Sequence, residues 1–242
     1  MFIAFLRSCF FYVVFGIWAI FFGILFILAL PLPRRVYVRF CVVFCRVSVI
    51  IARVCAGIKY RVEGLENLKS ASLPIMIASK HQSMWECFAL YYLLHDPVVL
   101  IKKSLAFIPG YGSAFCKLGM VYVNRGKRNK IYSILRRILN ASNRTIVVFP
   151  EGTRTAPFAD TRYRSGVFYL YESVGATVVP VALNSGMFWG RRKFIKNSGT
   201  IVLRFLPEIK PGLPRQAFME LLRARIESET HVLCSMCVAG AA

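Results

Sequence analysis

The stretch Pro74-Ile75-Met76-Ile77-Ala78-Ser79-Lys80-His81-Gln82-Ser83-Met84-Trp85-Glu86 decides the fold. It opens as a short apolar, β-branched run, crosses a polar turn, and enters the helical pattern of Trp85–His95. The same alternation recurs along the chain. Pro74–Ala78, Pro97–Ile101, Met120–Val123, Thr145–Phe149, Thr177–Leu183 and Thr200–Phe205 read as strands. Trp85–His95, Gly112–Leu118, Asn129–Asn140 and Ser165–Val174 read as the helices between them, and Gln216–Thr230 as a terminal helix. Strands alternating with helices predict an α/β domain over residues 58–230, its mostly parallel sheet flanked by helices. Residues 231–242 read as a C-terminal tail. In such folds reactive groups gather at the strand-to-helix turns.

Residues 1–57 differ in kind. No charged residue lies between Arg7 and Arg34, a run of 26 positions closed by Pro31 and Pro33. About 20 helical residues span a bilayer core, so this run is long enough, and its length and missing cleavage site argue against a signal peptide. Arg34, Arg35 and Arg39 follow it against one Arg before it, which places the rest of the chain on the cytoplasmic side. From Val36 to Gly57 the only charges are Arg39, Arg46 and Arg53, seven apart and hence on one stripe of a helix. A spanning helix carries such a stripe at high cost, whereas an interfacial helix keeps it at the headgroups. The expected arrangement is therefore a membrane-embedded helical hairpin, with Gly16 and Gly23 allowing close approach of its helices.

The whole chain is both oily and basic. In 242 residues, 57% are hydrophobic and 32 Lys+Arg face 11 Asp+Glu, a net charge of +21. Disorder and low complexity are excluded, and an anionic membrane surface is the expected partner. Asn124–Arg144 carries seven basic residues beside Ile131, Ile134, Leu135 and Ile138 at helical spacing. On charge alone this suits a membrane or a polyanion, or packs blandly on the sheet. It comes without a nucleic-acid motif, so no nucleic-acid partner is expected. The eight cysteines show no framework spacing and read as small hydrophobes. Cys234-x-x-Cys237 with His231 is half a zinc site without its second half, so no metal is expected.

Three turns can do chemistry. After the strand at Ala78 comes His81, with Glu86 five positions on, at the start of a helix. A carboxylate there can hold one imidazole nitrogen and leave the other as a base; the plainer alternative is a helix-capping His. The second turn, Phe149-Pro150-Glu151-Gly152-Thr153-Arg154-Thr155, offers a close backbone approach at Gly152 and a phosphate-gripping Arg154. The third, Gly119–Arg125, delivers a basic residue at a strand end, as Lys102 does after Ile101.

Together these stretches resemble the 1-acyl-glycerol-phosphate acyltransferases, the family of bacterial PlsC. Its His-x4-Asp, Gly-x-x-Phe-Ile-Asp-Arg-like, Phe-Pro-Glu-Gly-Thr-Arg and Val-Pro-Val-like motifs match His81…Glu86, Gly119…Arg125, Phe149–Arg154 and Val179–Ala182, in that order. The order and spacing hold from about Gly57 to Asn184. The sequence departs twice: Glu86 stands where most members have Asp, and Asn124 where the second motif has Asp. The resemblance implies catalysis by His81 and Glu86, with substrate held by Lys102, Arg125, Glu151, Gly152, Thr153 and Arg154.

It further implies transfer of an acyl chain from an acyl thioester to the hydroxyl of lysophosphatidic acid, giving phosphatidic acid in phospholipid synthesis. No cofactor is expected beyond the co-substrate, acyl-CoA or acyl-carrier protein. A thioester is already activated, so the alcohol needs the base, and His81 would supply it. Backbone N–H groups near Gly152 are the expected oxyanion donors. Direct transfer is expected, with Cys87 and Ser83 as the rival nucleophiles. The acceptor stays open: a lyso-ornithine lipid, glycerol 3-phosphate or another lysophospholipid would use the same chemistry. A catalytically silent membrane scaffold is the third reading.

Overall fold

The computed structural model describes residues 2–123, 133–136, 138, 142 and 144–239. The strands are β1 (Ile58–Glu63), β2 (Ile75–Ser79), β3 (Val98–Lys102), β4 (Val121–Val123), β5 (Ile146–Val148), β6 (Thr177–Leu183) and β7 (Gly199–Phe205). They form one seven-stranded sheet in the order β1-β7-β6-β2-β5-β3-β4. Every pairing is parallel except β6 with β7, so β1 and β7 run against the other five. The expected mostly parallel sheet is present, and its edge strand β1 is one that the periodicity did not single out. β1 is half exposed and carries Lys59, Arg61 and Glu63, so it lacks the apolar run of the central strands.

β2 sits at the centre, with Met76 paired to Val178 on β6 and to Ile146 on β5. All five of its residues are buried, as expected for a parallel strand covered on both faces. Ile75 and Ile77 pack to one face with Trp85, Ala89 and Leu90 of α4 (Trp85–Leu94) and with Val49, Ala52 and Cys55 of α2 (Arg34–Ala56). Met76 and Ala78 pack to the other, against Phe168 and Tyr171 of α6 (Gly166–Val174) and Phe218, Leu222 and Ile226 of α8 (Arg215–Ala239). Leu135 joins that second face at 0% exposure. Most of Asn129–Asn140 lies outside the described residues.

The remaining helices are α1 (Phe2–Leu28), α3 (Leu65–Ser70), α5 (Tyr111–Lys117) and α7 (Ser185–Phe188), with a 3₁₀ turn at Lys103–Phe107. α1 stops just short of Pro31 and Pro33, as proline's missing donor requires. α2 packs against both α1 and α4, and its outward stripe of Arg39, Arg46 and Arg53 is exposed as expected. Its inner side belongs to the sheet's own core, so Gly57 is a corner between helix and strand within one core. Arg34 at its start grips Asp96 at 2.8 Å and the Leu118 carbonyl at 3.0 Å.

Two expectations are corrected here. Gly16 meets nothing within 4 Å, and Gly23 approaches the turn before α5 rather than α2. A Cβ on Gly110, at φ 75°, would fall 2.1 Å from the Gly23 carbonyl oxygen. The last residues are not a tail through 239: α8 continues to Ala239 because Leu233 and Cys234 are buried against the sheet.

Candidate active site

β2 extends one residue past its last side-chain layer, where the Lys80 N–H donates to the Val181 carbonyl at 2.9 Å. The chain then turns, and His81 projects from the carboxyl edge of the sheet. Its Nδ1 lies 2.9 Å from Glu86 Oε1. The same oxygen accepts the N–H groups of Gln82 and Ser83, each at 2.7 Å, and Oε2 accepts the Ser185 hydroxyl at 2.8 Å. Ser83 Oγ in turn accepts the Trp85 N–H at 2.8 Å, at the start of α4. The turn and the first helical residues thus converge on one carboxylate, and the extra methylene of Glu over Asp is accommodated.

Glu86 is fully buried. Burial alone would raise its pKa, but the His81 contact and the backbone amides outweigh it and hold the carboxyl below its ordinary range. A carboxylate only accepts, so Nδ1 carries the proton and Nε2 keeps its lone pair. The ring stacks on Phe149 with centroids 4.0 Å apart, and 14% of the side chain remains exposed. His81 is therefore braced on two sides, by Glu86 and Phe149, with part of its side chain left exposed.

The second turn is tied to the first. The Thr155 N–H donates to the His81 carbonyl at 2.8 Å, and Thr155 Oγ1 to Glu151 Oε2 at 2.7 Å. Glu151, 2% exposed, accepts the His81 N–H at 3.3 Å and meets Lys80 Nζ at 3.1 Å. Burial pushes the Glu151 carboxyl up, and Lys80 and Thr155 only partly offset it. Lys80, 1% exposed, continues to Glu227 on α8 at 2.7 Å, where the Tyr163 hydroxyl also donates at 2.8 Å. Glu151 was expected to contact substrate; its carboxylate is buried and, through Lys80, ties the two turns to the last helix.

Gly152 adopts φ 66° and turns the chain, and a Cβ there would fall 2.6 Å from Arg164 Nε. Its N–H is committed to the Phe149 carbonyl at 2.9 Å, so the expected oxyanion donor is not that amide. Thr153 is exposed and Arg154 half-buried. Arg154 lines a cleft of about 170 Å³ with Met84, Phe11, Phe15 and Trp189, and among the described residues it makes no ion pair. Lys102 ends β3 on the same carboxyl edge, two strands from β2, and is exposed. Arg125 lies outside the described residues.

The rival nucleophiles are poorly placed. Ser83 Oγ is buried and accepts the Trp85 N–H. The Cys87 thiol is pushed up to about 12 by burial and by the neighbouring Glu86 charge, so it stays protonated. Cys234 faces Gln82 Nε2 at 4.0 Å, Cys237 Sγ faces Asn184 Nδ2 at 3.0 Å, and the His231 ring lies against Phe158. Among the described residues no three metal-ligating side chains gather.

Sequence reasoning missed Ser185, Lys80 and Glu227. Ser185 had a signal, since it opens the turn after β6 and the strand-to-helix rule applies there too. Lys80 and Glu227 are 147 positions apart, and nothing local connects them.

Residues 59–184 match the family model described as Acyltransferase. A 1-acyl-sn-glycerol-3-phosphate acyltransferase of Pseudomonas aeruginosa is 32% identical over 201 residues, covering 81% of this chain and 77% of that protein. The enzyme of the same name from Saccharomyces cerevisiae is 28% identical over 166 residues, 66% of this chain and 54% of that one. In fold, the chain resembles the crystal structure of the LPA acyltransferase PlsC from Thermotoga maritima, with a TM-score of 0.76 at 18% identity over 94% of this chain and 95% of that one. His81, Glu86 and the turn through Arg154 all fall inside the matched stretch, and the chain belongs to the Acyltransferase family.

Proposed function

We propose that this protein transfers an acyl chain from an acyl thioester to the free hydroxyl of lysophosphatidic acid, forming phosphatidic acid. The observation that carries the reading is the His81 ring, held through Nδ1 by Glu86 at 2.9 Å with part of its side chain exposed. Nε2 takes the hydroxyl proton as the oxygen attacks the thioester carbonyl. Glu86 stabilises the imidazolium, the tetrahedral oxyanion collapses, and the C–S bond breaks. The departing thiolate takes the proton from Nε2, so the base is regenerated. Positioned proton transfer of this kind contributes about 10²–10⁴-fold. A protonated Cys87 and a buried Ser83 support direct transfer without an acyl-enzyme.

Arg154 is the residue for the acceptor phosphate, because it leaves the loop that is bonded to the His81 carbonyl and faces the cleft. Lys102 extends the same cationic edge. The acceptor is a membrane lipid, and α1 suits that source. It is the one described helix long and apolar enough to cross a membrane, and Phe10, Val13, Ile17, Ile20, Ile24 and Leu28 are all exposed on it. The excess of arginine after α1 supports a catalytic domain on the cytoplasmic side.

Purified protein in anionic vesicles, given acyl-CoA and each candidate acceptor, tests the assignment. Phosphatidic acid formed with one equivalent of free thiol is the expected result. Faster acylation of a lyso-ornithine lipid or of glycerol 3-phosphate overturns the acceptor.

A further inference from the structure

Arg191-Arg192-Lys193 is the one place in the chain where three basic residues run consecutively, and no Asp or Glu lies between Glu172 and Glu208. All three line the same cleft as Arg154. They follow Trp189 and belong to neither catalytic turn. Arg191 Nη1 ties the turn to the active-site loop by donating to the Arg154 carbonyl at 2.8 Å. Among the described residues none of the three makes an ion pair.

The turn is built rather than loose. Lys196, 1% exposed, donates through Nζ to the Tyr12 hydroxyl at 2.8 Å and to the carbonyls of Lys193 and Phe194, curling the basic run back on α1. Its own N–H donates to Ser8 Oγ at 2.8 Å. Arg192 is held at φ 59°, a left-handed conformation uncommon for a side-chain-bearing residue. No carboxylate neutralises the Lys196 ammonium among the described residues, and burial pushes it down to about 8. An anion in the cleft would compensate that cluster of positive charge.

We propose that the Gly190–Lys196 turn binds the phosphate groups of the acyl-thioester donor, leaving Arg154 for the phosphate of the acceptor. The inference rests on the acyltransferase reading above. In the acceptor the phosphate is close to the reacting hydroxyl, so its clamp must hang from the His81 loop, as Arg154 does. In a CoA thioester or a carrier-protein thioester the phosphates lie at the far end of a pantetheine arm, many bonds from the carbonyl. Their clamp therefore belongs on a separate element lining the same cleft. Phe11, Phe15 and Trp189 supply the cleft's apolar wall for the chain. Guanidinium forks suit phosphate oxygens, and two cation sets keep two anionic substrates from competing.

The test is the double variant R192Q/K193Q, with Arg191 retained to hold Arg154. Three quantities are measured in vesicles: KM for acyl-CoA, KM for lysophosphatidic acid, and the rate with an S-acyl-N-acetylcysteamine of the same chain, a donor without phosphate. The expected result is an approximately tenfold higher KM for acyl-CoA, with the other two within about twofold. The inhibition constant of free CoA against acyl-CoA should rise in step. A higher KM for lysophosphatidic acid assigns the turn to the acceptor and overturns the proposal. An equal loss with the phosphate-free donor, or no change anywhere, also overturns it. R192K/K193R, which keeps the charges, should restore acyl-CoA affinity; should R192Q/K193Q fail to fold, Arg192→Gln alone carries the same comparison. Wild-type protein that makes no phosphatidic acid from either donor defeats the acyltransferase reading itself, a different outcome from all of these.

Discussion

The turn at His81 and the rim of the cleft lined by Arg154, joined through the Thr155 N–H bond to the His81 carbonyl, follow opposite rules. Around His81 the polar groups are matched. Glu86 accepts four hydrogen bonds, Lys80 pairs with Glu151 and Glu227, and all but His81 and Glu227 are nearly buried. On the rim, Arg154 and Arg191–Lys193 are at least partly exposed and make no ion pairs among the described residues. On the proposed reading, the reacting imidazole is fixed by satisfied, desolvated contacts, whereas binding of anionic substrates falls to the rim cations. Fixed donors and acceptors cost no reorganisation during reaction, and unpaired rim charges retain their full attraction for phosphate.

Substitutions sharpen that contrast in decreasing order of effect. His81→Ala should lower kcat by about 10²–10⁴-fold, and lower the melting temperature as well because the buried Glu86 carboxylate loses its partner. Turnover within tenfold of wild type would break the assignment of the base. Lys80→Met leaves Glu151 and Glu227 facing each other without their shared cation. It should lower unfolding free energy by about 3–5 kcal/mol, read by denaturant melts, and lower kcat with it. If K80M is as stable as wild type, the buried half is not the rigid one. Arg154→Ala belongs to the rim, and its mark should be a KM for lysophosphatidic acid raised by about tenfold or more at unchanged melting temperature.

Acid titration separates two buried carboxyls. Glu86 has a folded pKa below its ordinary 4.5, so its stabilisation is complete above that value and lost as pH falls through the folded pKa. Glu151 is raised, so the folded chain holds that proton more tightly, and its contribution declines as pH rises from the ordinary value through the folded one. Melting temperatures of Glu86→Gln across this range should show a weaker acid-side loss than wild type. Those of Glu151→Gln should show less decline on the rising side. Curves that move the same way would contradict the two directions. The smallest effect is reserved for Cys87→Ala, which should leave turnover within about twofold; a trapped acyl adduct on that thiol would instead end the direct-transfer mechanism.

Much of this was legible because it is local. His81 and Glu86 are five positions apart on one strand–turn–helix unit, and the hydrogen bonds of that unit follow from its own backbone. The same holds for the exposed stripe of Arg39, Arg46 and Arg53, which helical geometry alone dictates. Ser185 was half legible, as the residue after a strand that read clearly. The roles of Lys80 and Glu151 were not. Each sits in a motif that suggests surface or substrate chemistry, and only the packing of α8 shows where their charges go. β1 escaped detection because a half-exposed edge strand shares its alternation of Lys, Tyr and Arg with ordinary loop.

Periodicity and short-range spacing were enough to establish an α/β sheet, an apolar first helix, and an imidazole–carboxylate pair at a strand end, because each depends on contacts within about a dozen residues. The tertiary structure alone decided that α2 completes the sheet's core, that Glu227 reaches Lys80 from the last helix, and that Arg191–Lys193 share a cleft with Arg154. Those contacts join segments separated by tens to hundreds of positions, and chain-wide burial, not local propensity, selects which of them meet.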